Sequence, residues 1–217
     1  MIKKQYILLL LDINLNRWDL LDVIDGLPGN VIFNLEYYDD TIYLGTNEGL
    51  ATISTLINKP IASFFTSLHN REIYDMSIQD DFIYLLTDLG LLKMNTRDKN
   101  YISLSNRKFE NIDIKNDDII LSNKNKLFKL NNQNRIEMLM NYEKIDDFDI
   151  CSSYLWVYNN QNALIYNMDT GFELEDDTSD GILGNLIYDV ECDNEWVWFS
   201  KNDGICFYHW SKYHYEK

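Results

Sequence analysis

The sequence predicts an all-β fold, a β-propeller of about five four-stranded blades. Three observations lead there. A short apolar strand recurs five times along the 217 residues. Each copy is embedded in the same order of strand, tight turn, strand, loop and strand. No stretch of ten residues or more repeats its apolar positions at the helical period.

The recurring triplets are Ile42-Tyr43-Leu44, Ile83-Tyr84-Leu85, Ile119-Ile120-Leu121, Leu155-Trp156-Val157 and Val197-Trp198-Phe199. Their first residues lie 41, 36, 36 and 42 apart, a mean period of about 39 that falls in the range of four-stranded propeller blades. Ahead of each triplet runs an alternating segment: Phe33-Asn34-Leu35, Tyr74-Asp75-Met76, Ile112-Asp113-Ile114, Phe148-Asp149-Ile150 and Tyr188-Asp189-Val190. Period-two alternation marks a half-buried strand. The two strands of each copy are parted by turn residues, Asp39-Asp40, Asp80-Asp81, Asp117-Asp118, Ser152-Ser153 and Asp193-Asn194. A third strand follows each triplet after an Asn-rich loop, as in Gly49 to Ile53 or Gly204 to Tyr208. A weaker fourth is visible at Ile61 to Phe65, Tyr101 to Leu104 and Ile136 to Met140.

These units define repeats near 31–66, 72–105, 109–140, 145–176 and 186–217 in a single domain, with 1–30 as a closing strand and turn. A blade such as the one holding Phe82 to Leu86 is apolar on both faces and needs a neighbour on each side. A β-sandwich also has many short strands, but it gives no reason for a fixed period. Met1 to Leu11 has two lysines and a short apolar run. The run stops at Asp12 with no small-residue cleavage site behind it, so it reads as a strand and not as a signal peptide. Arg17 to Leu21 sits where a fourth strand would close the ring on the last blade, which leaves Tyr6 to Leu11 as a surplus strand. A closed five-bladed ring, a piece of a longer propeller and a partial ring completed by another copy all fit this count, so a homo-oligomer is one expected partner arrangement.

Trp18, the turn Asp25-Gly26-Leu27-Pro28-Gly29-Asn30, the strand Ile42-Tyr43-Leu44-Gly45-Thr46 and the start Gly49-Leu50 together resemble the two-component regulator propeller repeat. Asp180-Gly181, Gly184-Asn185, Trp198 and Gly204-Ile205 repeat the pattern at the far end, while the middle copies keep only the apolar skeleton. The resemblance implies a propeller of the kind found in extracytoplasmic sensor domains of bacterial histidine kinases and in surface or secretion-linked proteins. The turn has a physical role of its own: Gly26, Gly29 and Asn30 tolerate positive φ and Pro28 fixes φ, which suits a tight crossing between blades.

Charge and motifs bound the chemistry. With 35 acidic and 19 basic residues the net charge is −16, which argues against nucleic acid and against anionic membrane and favours cationic or neutral polar partners. Three cysteines, Cys151, Cys192 and Cys206, read as isolated. His69, His209 and His214 lack metal-ligand spacing, so no metal and no cofactor are expected. Nucleophile-elbow and phosphate-loop patterns are missing, and no catalytic residue is assigned.

Two constellations remain. Asn34, Asp75, Asp113, Asp149 and Asp189 take one place in the five inner strands and would form a ring lining a channel, or else accept hydrogen bonds from neighbouring backbone. The loops after the triplets supply Asn47, Glu48, Asp88, Asn123, Asn160 and Asp203 to one face, where amides and carboxylates suit a polar small molecule, a glycan or a peptide. The expected function is a non-enzymatic ligand- or protein-binding propeller. The alternative is a carbohydrate-active hydrolase or lyase using acids at the channel mouth.

Overall fold

The computed structural model describes residues 8–12, 16–56, 62–115, 117–159, 162–176, 186–193 and 195–210. The chain is all-β, a five-bladed β-propeller. It divides into two compact units, Met1–Ile112 and Asp113–Lys217.

In the first unit β1 (Leu8–Asp12) and β2 (Arg17–Leu21) pair with each other. The first blade is β3 (Ile32–Tyr38), β4 (Thr41–Thr46), β5 (Gly49–Ser54) and β6 (Ala62–Phe64). The second is β7 (Ile73–Gln79), β8 (Phe82–Thr87), β9 (Gly90–Asn95) and β10 (Tyr101–Ser105). The unit boundary falls within β11 (Asn111–Lys115), which opens the third blade with β12 (Asp118–Asn123), β13 (Lys126–Leu130) and β14 (Ile136–Asn141). The second unit continues with the fourth blade, β15 (Asp147–Cys151), β16 (Tyr154–Tyr158), β17 (Ala163–Asn167) and β18 (Glu173–Asp176). The fifth has three described strands, β19 (Ile187–Asp193), β20 (Trp196–Lys201) and β21 (Gly204–Tyr208).

Turn chemistry explains the meander. Tyr38 pairs with Thr41 across Asp39 and Asp40, both at positive φ (47° and 55°), the type I′ geometry that matches strand twist. Asp80, Asp117 and Ser152 take positive φ at the same place in their blades. Between the second and third strands, Thr46 Oγ1 donates to the Gly49 carbonyl at 2.7 Å and Thr87 Oγ1 donates to that of Gly90 at 3.0 Å. Each hydroxyl thus satisfies a carbonyl at the end of a two-residue loop.

The crossing into the first blade is a single 3-10 turn, Val23–Asp25, closed by reciprocal bonds between Asp22 and Asp25. Gly26 follows at φ +101°, where an added Cβ would run into the Ala62 carbonyl. The following Leu27 is buried with Leu21, Leu44, Ala51, Ile53 and Ala62. The similar segment Asp180 to Asn185 lies outside the described residues.

Blades bury their faces on one another. In the first unit, Tyr43 and Leu50 pack with Ile73, Met76, Ile83 and Leu85. In the second, Ile120 and Leu127 pack with Ile150, Leu155 and Val157, and Trp156 and Ile165 pack with Val190, Val197 and Phe199. One expectation changes. The strand expected to be surplus pairs as Leu8–Asp12 with Arg17–Leu21 in a two-stranded sheet, because the two apolar runs are contiguous and can pair antiparallel. In β20, Val197 and Phe199 on either side of Trp198 are fully buried.

Candidate functional site

An innermost strand has one unpaired edge, and its N–H groups there need acceptors. The inner-strand acids supply them. Asp75 Oδ1 accepts from Met76 N at 2.9 Å and from Asn34 Nδ2, while Oδ2 accepts from Ile112 N at 2.8 Å. Asp113 Oδ1 accepts from Ile114 N at 2.7 Å, and its Oδ2 accepts from Ile150 N at 3.2 Å. Asp149 Oδ1 accepts from Ile150 N at 2.7 Å, and its Oδ2 accepts from Cys192 N. Each carboxylate therefore grips its own strand with one oxygen and the next inner strand with the other. Asp189 Oδ1 accepts from Val190 N at 3.0 Å.

The five positions are not equivalent in register. Asn34, Asp75 and Asp189 each follow a bulge and stand opposite Gly45, Leu86 and Ser200, one residue past the triplet. Asp149 stands opposite Trp156, within the triplet, and it is Asp147 that stands opposite Tyr158. The regular β15–β16 pairing lacks the bulge, so the matching acid lies two residues earlier.

The second unit concentrates charge on these strands. Burial pushes the Asp147 carboxyl up to about 6, opposed by the Phe148 N–H and reinforced by Asp189, Asp113 and Asp146. Asp149 rises to about 7, through burial and the charge of Asp113, against the Cys192 N–H and Lys115. Glu191 is raised by burial and lowered by Lys115. Tyr158 is raised by burial and by Asp147 and Asp189, and its hydroxyl donates to the Tyr188 carbonyl at 3.3 Å. Lys115 is thus the cation that offsets a group of acids. Asp147, Tyr158 and Lys115 were not singled out in the sequence, where their neighbours Asp149, Trp156 and Asp113 carried the motif.

The loop residues divide by use. Asn47 Oδ1 accepts from Val31 N at 3.0 Å, and its own N–H donates to the Val31 carbonyl, so it locks the loop to the crossing turn. Asp88 Oδ2 accepts from Arg71 at 3.2 Å, while Oδ1 is buried without a partner. Asn123 Oδ1 is likewise buried without a partner. Glu48 and Asp203 are exposed. Asn160 lies outside the described residues.

Cys151 and Cys192 are joined in a disulfide, 41 residues apart in sequence. This corrects their reading as isolated thiols. They follow Asp149 by two residues and Asp189 by three, so aligning the repeats places them on adjacent inner strands. Cys206 stays outside the bridge. Asp149, Cys151 and Cys192 bring three metal-ligating atoms within 4.8 Å, but both sulfurs are bonded to each other. Among the described residues no helix is long and apolar enough to cross a membrane.

The fold has counterparts among solved structures. PorZ, a bacterial surface component of the type-IX secretion system of Porphyromonas gingivalis, aligns with a TM-score of 0.66 over 89% of this chain at 11% identity. The extracellular domain of a hybrid two-component system of B. thetaiotaomicron aligns with a TM-score of 0.66 over 82% at 18% identity. The likeness is one of fold. This chain spans 27% of the length of each of those two proteins. YCF48 with a bound peptide aligns at 0.61 over 82% of this chain and 64% of its own, at 12% identity. No family model matches the sequence, and no curated protein does.

Proposed function

We propose that this chain is a non-enzymatic propeller that binds a polar ligand, a glycan or a peptide through the loops after its triplet strands. In this reading it resembles the sensor and surface domains of the two-component regulator propeller family. The observation that carries it is the use made of Asp75, Asp113 and Asp149. In each, both carboxylate oxygens hold backbone N–H groups. A carboxylate committed in this way is a poor proton relay, so the raised position of Asp149 is accounted for by burial and not by catalysis. Glu48 and Asp88 in the first unit, and Asn123 and Asp203 in the second, lie in the loops after the triplets and are the polar groups proposed to meet a ligand. The peptide held by the YCF48 propeller and the extracellular setting of the two-component domain support the same class of role. The Cys151–Cys192 bridge supports an oxidising compartment, since such bonds persist outside the reducing cytosol.

Glycan and peptide arrays, scored for both capture and turnover, test the proposal. Capture that is lost in Glu48→Ala, Asp88→Ala or Asp203→Ala at an unchanged melting temperature supports it. Asn47→Ala is avoided because Asn47 holds the crossing turn. Turnover of a polysaccharide, abolished by replacing a single acid, would overturn it in favour of the hydrolase or lyase.

A further inference from the structure

Within the second unit, the fourth and fifth blades meet over a buried space that gathers metal-ligating atoms. On β15, Asp147, Asp149 and Cys151 are two residues apart and share a face. Across from them on β16 stand Tyr158, Trp156 and Tyr154. Cys151, Trp156 and Tyr158 lie in one buried cluster with Val190, Cys192, Val197 and Phe199 of the fifth blade. A carboxylate oxygen of Asp149 and the sulfurs of Cys151 and Cys192 are all within 4.8 Å of one another. Both cysteines are buried and Asp149 is half-buried, so the group opens towards the surface on its carboxylate side.

Two features exceed what a structural bridge requires. A disulfide is neutral, yet Asp113 and Glu191 bring further negative charge to Asp149, with Lys115 opposing them. Trp156 is fully buried, and its Nε1 has no hydrogen-bond partner. Buried donors are normally satisfied, and this one belongs to the residue directly across from Asp149, in the same cluster as both sulfurs. A cation bound between two thiolates answers both features. Its charge offsets the acids, and a thiolate is a charged acceptor of the kind an indole N–H can use.

We propose that reduction of the Cys151–Cys192 bond by a dithiol turns this space into a binding site for a zinc-class divalent cation, held by Cys151 Sγ, Cys192 Sγ and the Asp149 carboxylate. The donor set selects the ion: two thiolates and one carboxylate suit zinc, whereas calcium and magnesium take oxygen ligands. Thiolates on zinc stand about 3.8 Å apart, with metal–sulfur bonds of about 2.3 Å. Side-chain rotation reaches that separation from Cα atoms 5.7 Å apart. Ile150 N and Cys192 N already orient the carboxylate, and each of its oxygens keeps a second lone pair for the ion. Water takes the fourth position. The dithiol gives two electrons and two protons to the S–S bond and becomes a disulfide itself, leaving two thiols on the chain. The cation then displaces the two thiol protons. Disulfide and ion are therefore alternatives, and the site is gated by redox state.

Cobalt(II) titration of the full chain tests this, after reduction with dithiothreitol and anaerobic removal of the reductant. Near-ultraviolet circular dichroism monitors folding. The reduced chain should bind one cobalt with thiolate-to-cobalt charge-transfer absorption and the visible bands of a tetrahedral ion, and zinc should displace it. The oxidised chain should show neither band. Cys206→Ser should bind as wild type does. In that background, Cys151→Ser and Cys192→Ser should each lose most of the charge-transfer intensity. Asp149→Asn keeps an acceptor for Cys192 N and should weaken binding by about tenfold or more. Absence of charge transfer in the reduced chain would overturn the proposal, as would a reduced chain that loses its fold and does not regain it on adding cobalt. So would full intensity in either folded serine variant, or unchanged affinity in folded Asp149→Asn.

Discussion

Opening the Cys151–Cys192 bridge should weaken the second unit selectively. The bond closes a segment of 41 residues and links the inner strands of the fourth and fifth blades. The chain-entropy relation for a loop of that size gives about 4 kcal/mol at 25 °C. With a urea slope of about 2 kcal/mol per molar, that is a midpoint lower by about 2 M. The cleanest perturbation is Cys151→Ala with Cys192→Ala in a Cys206→Ser background, which leaves no thiol to exchange. Trp156 is fully buried against Phe199 beside the bridge, so its fluorescence reports unfolding of this region. Both half-cystines lie in the second unit. If the two units unfold separately, only the transition reported by Trp156 should move. A midpoint within about 0.3 M of wild type would refute the reasoning, because the effect would then be far below the expected range of roughly 2–5 kcal/mol. So would three reactive thiols in unfolded protein purified from an oxidising compartment.

Stability should fall as pH rises from about 4 to about 7. Asp147 and Asp149 hold their protons to about 6 and about 7 in the folded chain, so the native state binds more protons than the unfolded one across that window and loses stability as they ionise. Thermal melts at stepped pH check this, and Asp147→Asn, which keeps an acceptor for Phe148 N, should flatten the slope. Asp75→Ala strands the donors of Met76, Ile112 and Asn34 and should cost about 3 kcal/mol in urea unfolding, with Asp75→Asn recovering part of it. Gly26→Ala meets both a positive φ and the Ala62 carbonyl. It should lower stability by about 2 kcal/mol, whereas Gly171→Ala, at positive φ but in open space, should cost less.

Much of the fold was legible because its causes are local. The apolar triplets carry the second strand of every blade, and Asp39, Asp40, Asp80, Asp117 and Ser152 sit at the positive φ that their turns require. The fourth strands were visible as weak alternation and form at Ala62–Phe64, Tyr101–Ser105 and Ile136–Asn141. The pairing of β2 with β1 and the bond between Cys151 and Cys192 were not read. Each depends on which partner wins at long range, and local pattern does not rank partners.

The inner strands show where alternation stops informing. A strand has a side-chain period of two, so a slip of one residue exchanges its faces, while a slip of two leaves every side chain on the face it had. Asp147 and Asp149 are two apart and point the same way, so the alternating pattern fits either as the counterpart of Asp75 and Asp189. What decides is the bulge before Asn34, Asp75 and Asp189, which is missing from the regular pairing of β15 with β16. The same two-residue spacing explains why both acids are retained on one strand. Asp147, opposite Tyr158, holds only its own strand through Phe148 N. Asp149, nearer the turn, reaches across to Cys192 N beside the disulfide. The carboxylate that bridges blades is therefore chosen by where the next inner strand presents an unpaired N–H, a property of two strands together that neither segment carries alone.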